Sequence, residues 1–201
     1  MKNEGLIYRI SGPVVTAIDM KAAMYDVVRV GTEGLMGEVI ELHGDKAVIQ
    51  VYEDTSGIRP GEVVVNTGET LSVSLGPGLL TQIYDGIQRP LNVLAAESGD
   101  FISRGKMIPA LDQKKKWDFI PVKKNGDQVS PGEIIAEVQE TPLIKHKIMV
   151  PYNVSGELVD ISEGQFTVND KVAAVKNGKT TDIGLSSWWT VRTPRPVLRK
   201  L

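Results

Sequence analysis

Cysteine is absent from this chain, which excludes a disulfide framework and any thiolate metal site. No apolar stretch approaches the roughly 20 residues that a membrane helix needs. The N-terminus, Met1 to Pro13, has neither a long apolar core nor a small-residue cleavage site, so it does not read as a signal peptide. Charge of one sign is missing too. The 23 basic and 25 acidic residues leave a net charge of -2, which gives no footing for nucleic acid or for a polybasic membrane contact. The simplest compartment is the cytoplasm, with any membrane association made through partners. What is present is ordinary globular composition. Hydrophobic residues make up 41% and charged residues 24% of 201 residues, enough for one large domain or two small ones with a real core.

The 20 glycines and 11 prolines punctuate short runs rich in Val and Ile, the pattern of many short strands joined by turns. Residues 5–11 and 14–18 read as two strands broken by Gly12-Pro13, because proline has no N–H for a ladder and fixes its own φ. Further strands are expected at 25–30, 36–42, 46–52, 62–65 and 71–75. His43-Gly44-Asp45 separates two of them, with glycine supplying the positive φ of a tight hairpin. So many short strands in so short a stretch predict a small closed barrel.

The pattern changes at Gly76. Residues 79–85 and 90–97 show short amphipathic periodicity and are the best helix candidates, with Pro90 suited to a first turn. A strand-like piece is expected at 101–103. From Trp117 onward a weak internal repeat appears. Its first copy is Asn125-Gly126-Asp127-Gln128-Val129 followed by Gly132-Glu133-Ile134-Ile135-Ala136. Its second is Glu163-Gly164-Gln165-Phe166 followed by Asp170-Lys171-Val172-Ala173-Ala174. Each copy is a turn, a short strand, a second turn and an apolar strand, and two such halves can pack as a small β-sandwich.

Few motifs carry chemistry. Gly178-Lys179-Thr180 imitates the end of a phosphate loop, GxxxxGK[ST], but the first glycine position is Ala173 and no helix pattern follows. Asn177-Gly178 reads instead as a hairpin turn between 172–175 and 180–183. The repeat also resembles the two half-motifs of biotinyl and lipoyl carrier domains, with Lys147 in roughly the interval of the modified lysine and Lys145 nearby. Its neighbours, His146 and Ile148, fit neither signature, and the alternation through Pro151 puts Lys147 in a strand. His43 and His146 have no ligand-like partner at metal spacing. Lys114-Lys115-Lys116 beside Trp117 reads as a solvated loop. Glu53, Asp54, Glu133 and Glu137 are not marked out as an acid–base pair, and no GxSxG nucleophile motif occurs. Trp188-Trp189 are large apolar surfaces suited to an edge or to a further domain.

Longer stretches resemble a known family. Tyr8-Arg9-Ile10-Ser11-Gly12-Pro13-Val14-Val15 is similar to the opening strands of rotary-ATPase headpiece subunits. Gly34-Leu35-Met36-Gly37-Glu38-Val39-Ile40 and Gln50 to Gly57 continue that likeness. Pro60-Gly61-Glu62, Thr67-Gly68 and above all Gly76 to Leu91 resemble the catalytic A subunit of archaeal and vacuolar-type ATPases. So do Gln139-Glu140-Thr141 and His146-Lys147-Ile148-Met149-Val150-Pro151 within a stretch like the A subunit's bulge domain. Val191 to Val197 resembles the lead-in to the nucleotide domain, with Thr190 where the family usually has proline.

The resemblance implies a mainly β fold in four parts. These are a crown barrel at 1–75, a mixed α/β connecting segment at 76–116, a lipoyl-like β-sandwich bulge at 117–187, and an extended linker at 188–201. It implies a piece of a subunit whose parent synthesises or hydrolyses ATP, coupled to H+ or Na+ transport, with ATP and Mg2+ bound beyond Leu201. No catalytic, cofactor-binding or metal residue is then expected in this chain, which is expected to be inactive alone. The implied partners are B subunits of the ring and peripheral stalk subunits at the bulge, in a headpiece peripheral to the membrane, without nucleic acid. Leu79, Leu80, Ile83, Leu91, Val93 and Leu94 are expected to lack cover without the nucleotide domain, with self-association or local disorder as the result. A biotinyl or lipoyl carrier is the alternative reading.

Overall fold

The computed structural model describes residues 3–99 and 104–196. The strand expected at 101–103 lies outside them. By compactness the chain forms two units. The first comprises Met1–Ser72, Leu94–Met107 and Thr190–Thr193, and the second Val73–Val93, Ile108–Trp189 and Pro194–Leu201.

The first unit is built on β1 (Glu4–Ser11), β2 (Val14–Ile18), β3 (Asp26–Val30), β4 (Leu35–His43), β5 (Lys46–Val51) and β6 (Val63–Thr70). These close into a barrel in the order β1-β2-β5-β4-β3-β6. Alternation drives it. In β5 every second residue is buried, Ala47, Ile49 and Val51, so one face of the strand belongs to the core. Val15, Val28, Val30, Val39, Ile49 and Val64 are wholly buried there, each worth roughly 1.5–3 kcal/mol in transfer free energy. Gly12-Pro13 closes a hairpin in which Ser11 faces Val14. Gly44-Asp45 does the same for His43 and Lys46, with Gly44 at φ 60°. Register shifts in β1, β3 and β4 are bulges of the kind that let a small sheet curl shut. The expected seventh strand, β7 (Ser72–Leu75), exists but lies outside the barrel.

In the second unit β7 pairs with β16 (Ser187–Thr190). Pro90 leads into α1 (Leu91–Ser98), the single helix among the described residues, which belongs to the first unit from Leu94 on and which Gly99 ends with an N–H to Ala95 at 2.9 Å. The helix expected at 79–85 does not form. Those residues make turns, with Thr81 at φ 69°, because their backbone groups are held by other partners.

The rest of the unit is a sandwich of β8 (Trp117–Pro121), β9 (Gln128–Val129), β10 (Ile134–Gln139), β11 (Lys145–Met149), β12 (Gly156–Val159), β13 (Gly164–Phe166), β14 (Lys171–Asn177) and β15 (Lys179–Gly184). One sheet runs β11-β10-β8-β13 and the other β15-β14-β12-β9. The repeat seen in the sequence is a structural one, because β12, β13, β14 and β15 reproduce β8, β9, β10 and β11. The short strand of each copy crosses to the sheet of the other half. Their turns match as well. Ser130 N–H donates to the Glu133 carboxylate at 2.9 Å, and Thr167 N–H to that of Asp170 at 2.7 Å. Between the sheets lie Phe119, Ile135, Val138 and Leu158, all fully buried. Phe119 meets Phe166 edge to face at 5.7 Å. At Gly156 a side chain would fall on the carbonyl oxygen of Lys176, on the strand that β12 pairs with, so only glycine allows that approach.

Candidate functional site

The run from Gly76 to Leu91 folds into a knot of polar contacts within the second unit. Gly78 and Leu80 aim their N–H groups at one oxygen of the Glu140 carboxylate, at 2.8 and 3.0 Å. Two nearby main-chain donors on a carboxylate form a small anion nest, and Glu140 is almost fully buried in it. Its other oxygen lies 3.7 Å from His146 Nδ1. Burial pushes the His146 pKa below its ordinary value, against the opposing pull of Glu140. Tyr84 donates its hydroxyl to the Ala110 carbonyl at 3.0 Å. Burial, with the Glu140 charge nearby, raises its pKa.

Asp85 accepts from the N–H groups of Ile87 and Arg89 and from Arg89 Nε at 2.7 Å. Arg89 is thereby buried with its charge answered. Gln88, at φ 63°, pairs its amide with both backbone groups of Ser74, at 2.7 and 2.8 Å. Its side chain thus behaves like one more strand residue beside β7. The main chain itself rules out a helix at 79–85, because Asp85 N–H donates to the Arg89 carbonyl at 3.1 Å and the Ile83 carbonyl accepts from Leu91 N–H at 2.9 Å. The run is a polar clasp around Glu140 and Ser74.

A second cluster sits on the barrel. Glu38, 1% exposed on β4, accepts from the Tyr52 hydroxyl at 3.0 Å, from Arg192 Nε at 2.9 Å and from a second guanidinium nitrogen of Arg192. The same guanidinium lies over the Tyr25 ring at 4.1 Å. Hydrogen bonding from Arg192 is the main cause that holds the Glu38 carboxyl below its ordinary range. Val191 N–H donates to the Leu71 carbonyl at 2.9 Å. Within the first unit, the end of the 1–72 segment and the short 190–193 segment are therefore stitched together. Neither cluster was picked out from the sequence as an interacting group. Glu38 and Arg192 are 154 positions apart, and no local periodicity joins them.

The residues singled out from the sequence are dispersed. Gly178 forms the hairpin corner between β14 and β15 at φ 68°, and Lys179-Thr180 starts a strand, where a phosphate loop would open a helix. Lys147 lies within β11 and not at a tip, which does not support the carrier reading. His43 pairs with Glu41 at 2.7 Å on the surface. The main-chain N–H groups of Lys114 and Lys115 donate to Asp112, at 2.8 and 3.1 Å, and the Lys115 ammonium sits 3.8 Å above the Trp117 ring.

Glu53 accepts from the N–H groups of Met36 and Gly105, while Asp54 holds Ser56. Glu133 pairs with Lys123 and Glu137 with Lys145. Trp188 is exposed, and Trp189 meets Tyr152 at 5.4 Å. Among the described residues no three His, Asp or Glu side chains converge as a metal site, and no helix is long and apolar enough to cross a membrane. Of the apolar residues expected to lack cover, Leu94 is buried and Leu79 packs on the sandwich core, whereas Ile83 is 72% exposed.

A barrel in one unit and an inserted barrel-sandwich in the other define the class. The ATP synthase alpha/beta family, beta-barrel domain, matches residues 7–68. The ATP synthase alpha/beta subunit barrel-sandwich domain matches residues 108–192. The chain belongs to the ATP synthase alpha/beta family. Within it, the likeness is to the A subunit of A-type ATP synthases. The chain is 56% identical over 201 residues to the A-type ATP synthase A subunit of Methanosarcina barkeri, covering 100% of this chain and 34% of that protein. It is 57% identical over 201 residues to the A-type ATP synthase A subunit 1 of Methanospirillum hungatei JF-1, again 100% of this chain and 34% of that protein. With the A-type ATP synthase A subunit of Pyrococcus abyssi it shares 56% over 205 residues, 100% of this chain and 20% of that one. The chain thus spans about a third or less of the length of these relatives.

Proposed function

We propose that this chain is the assembly-bearing front part of an A subunit, within a protein that synthesises or hydrolyses ATP with Mg2+ in coupling to ion transport. The likeness running through both units supports this, since a shared barrel alone is common to the wider family. On this reading 1–75 is the crown barrel, 76–116 the connecting segment, 117–187 the bulge and 188–201 the linker. The clasp at Gly76 to Leu91 and the Glu38–Arg192 contact are framework and not catalysis. The headpiece it belongs to lies peripheral to the membrane.

One surface observation carries the assembly role. Leu6 and Val63 are direct neighbours on the β1–β6 seam, and Val65 follows on the same outward face. All three are exposed, forming a contiguous apolar stripe on the outer face of the barrel. The occupant proposed is the barrel of a neighbouring B subunit, with stalk subunits meeting the bulge. The test is assembly of the chain with its B subunit, followed by sedimentation. Leu6→Glu with Val63→Lys, both outward-facing, should weaken association roughly tenfold or more while the barrel stays folded by circular dichroism. Unchanged association would remove the stripe from the interface.

A further inference from the structure

The sequence contains two Asn-Gly pairs, Asn125-Gly126 and Asn177-Gly178, and the fold treats them in opposite ways. The Asn125 amide is fixed on the main chain of Ile161, accepting from its N–H at 2.9 Å and donating to its carbonyl at 3.2 Å. The N–H of Gly126 donates to the Leu158 carbonyl at 2.8 Å. Both reacting groups of that pair are occupied. Asn177 and Gly178 form the exposed corner between β14 and β15. Among the described residues, no side-chain partner engages the Asn177 amide and no main-chain acceptor takes the Gly178 N–H. The space around both glycines is open, so the two pairs differ in the hydrogen bonds that hold them and not in crowding.

We propose that Asn177 is a site of spontaneous conversion to aspartate and isoaspartate in the folded protein, while Asn125 is protected. The Gly178 nitrogen bonds to Cγ of Asn177, the Cγ–Nδ2 bond breaks, and ammonia leaves with the proton lost by the main-chain nitrogen. The product is a five-membered cyclic imide. Water then adds to one of its two carbonyls. Opening at the main-chain carbonyl gives isoaspartate, whose backbone runs through the former side chain, and opening at Cγ gives aspartate. No electron transfer is involved, and water is the sole co-reactant. Either product places a negative charge beside Lys176 and Lys179, and isoaspartate lengthens the backbone at a corner that Gly178 fills at φ 68°. An exposed isoaspartate is a substrate of the carboxyl-methylating repair class of enzyme, which reads that carboxylate on an accessible turn.

The test is peptide mapping of the full chain after incubation at mildly alkaline pH, folded and in denaturant, with fragmentation that separates aspartate from isoaspartate. In denaturant the two asparagines should convert at similar rates. In the folded chain Asn125 should slow by roughly tenfold or more, as expected for a site that must open before it reacts. Asn177 should keep most of its unfolded rate, and methyl transfer by an isoaspartyl methyltransferase should label that peptide alone. Asn177→Gln should abolish the label. Equal suppression at both sites in the folded chain, or faster conversion at Asn125, would overturn the proposal.

Discussion

The barrel and the sandwich solve the same problem, closing a small β core, by different means. The barrel core is aliphatic throughout, and its buried Glu38 carboxylate is answered by an arginine that follows the whole of the sandwich in sequence. The sandwich places aromatic rings at its centre and repeats one local turn, in which a carboxylate catches an N–H three residues back. The local turn is shared, since in the first unit Asp26 takes the Ala23 N–H and Glu62 the Arg59 N–H, and each unit holds a buried carboxylate from a distance, Glu38 by an arginine side chain and Glu140 by main-chain N–H groups. Distant closure concentrates consequence in a single contact, whereas repetition spreads it over many.

Core truncation should break the comparison most strongly. Phe119→Ala should cost about 3–5 kcal/mol and Ile49→Ala about 2–5 kcal/mol. Hydrogen exchange should show each loss in its own unit; matching loss in both from either change would mean that they melt as one. Removal of the distant contact comes next. Arg192→Ala leaves Glu38 buried without its cation, so the Glu38 pKa should rise and exchange should quicken along β4 and at 190–193. A carboxyl titration followed by NMR checks this, and an unmoved Glu38 would show the contact to be incidental.

Acid should separate the units by pH. The depressed His146 pKa gives stability that is present above the ordinary histidine value of 6.5 and is lost as pH falls below it. The depressed Glu38 pKa gives stability that is present above 4.5 and is lost only as pH falls further. The second unit should therefore loosen first on acidification, and His146→Asn should abolish that early step. The smallest effect belongs to the repeated turns. Asp170→Ala should lower the thermal midpoint less than any core change, and Glu133→Ala about equally, since both carboxylates are on the surface.

Much of the fold was legible because its signals are local. The strand at 14–18 was found at its observed limits, and the hairpin corners at Gly44 and Gly178 announced themselves through the residues that positive φ requires. The repeat showed in the spacing of its turns. The rest was written in pairs that periodicity does not connect. Residues 79–85 carry a helical pattern, yet the Asp85 N–H goes to the Arg89 carbonyl, the Ile83 carbonyl takes the Leu91 N–H and Thr81 sits at φ 69°, so contacts beyond the window override propensity. β7 alternates like a barrel strand but pairs with β16. The buried pair of Asp26 and Asn66, 40 positions apart at 2.7 Å, and the clasp of Gln88 on Ser74 were equally invisible. The family resemblance compensated where local physics stopped, because Gly76 to Leu91 is a sequence whose meaning lies in partners elsewhere.

The exchange of short strands in the sandwich has a consequence for how the chain comes to fold. β9 pairs with β12, and β13 with β8. The first half emerging from a ribosome therefore has no sheet partner for β9 and no cover for Phe119. Closing the sandwich thus needs contacts that are far apart in sequence, which slow folding. A cleavage between Met149 and Gly156 would part each short strand from its sheet partner, leaving neither half able to complete its own sheet.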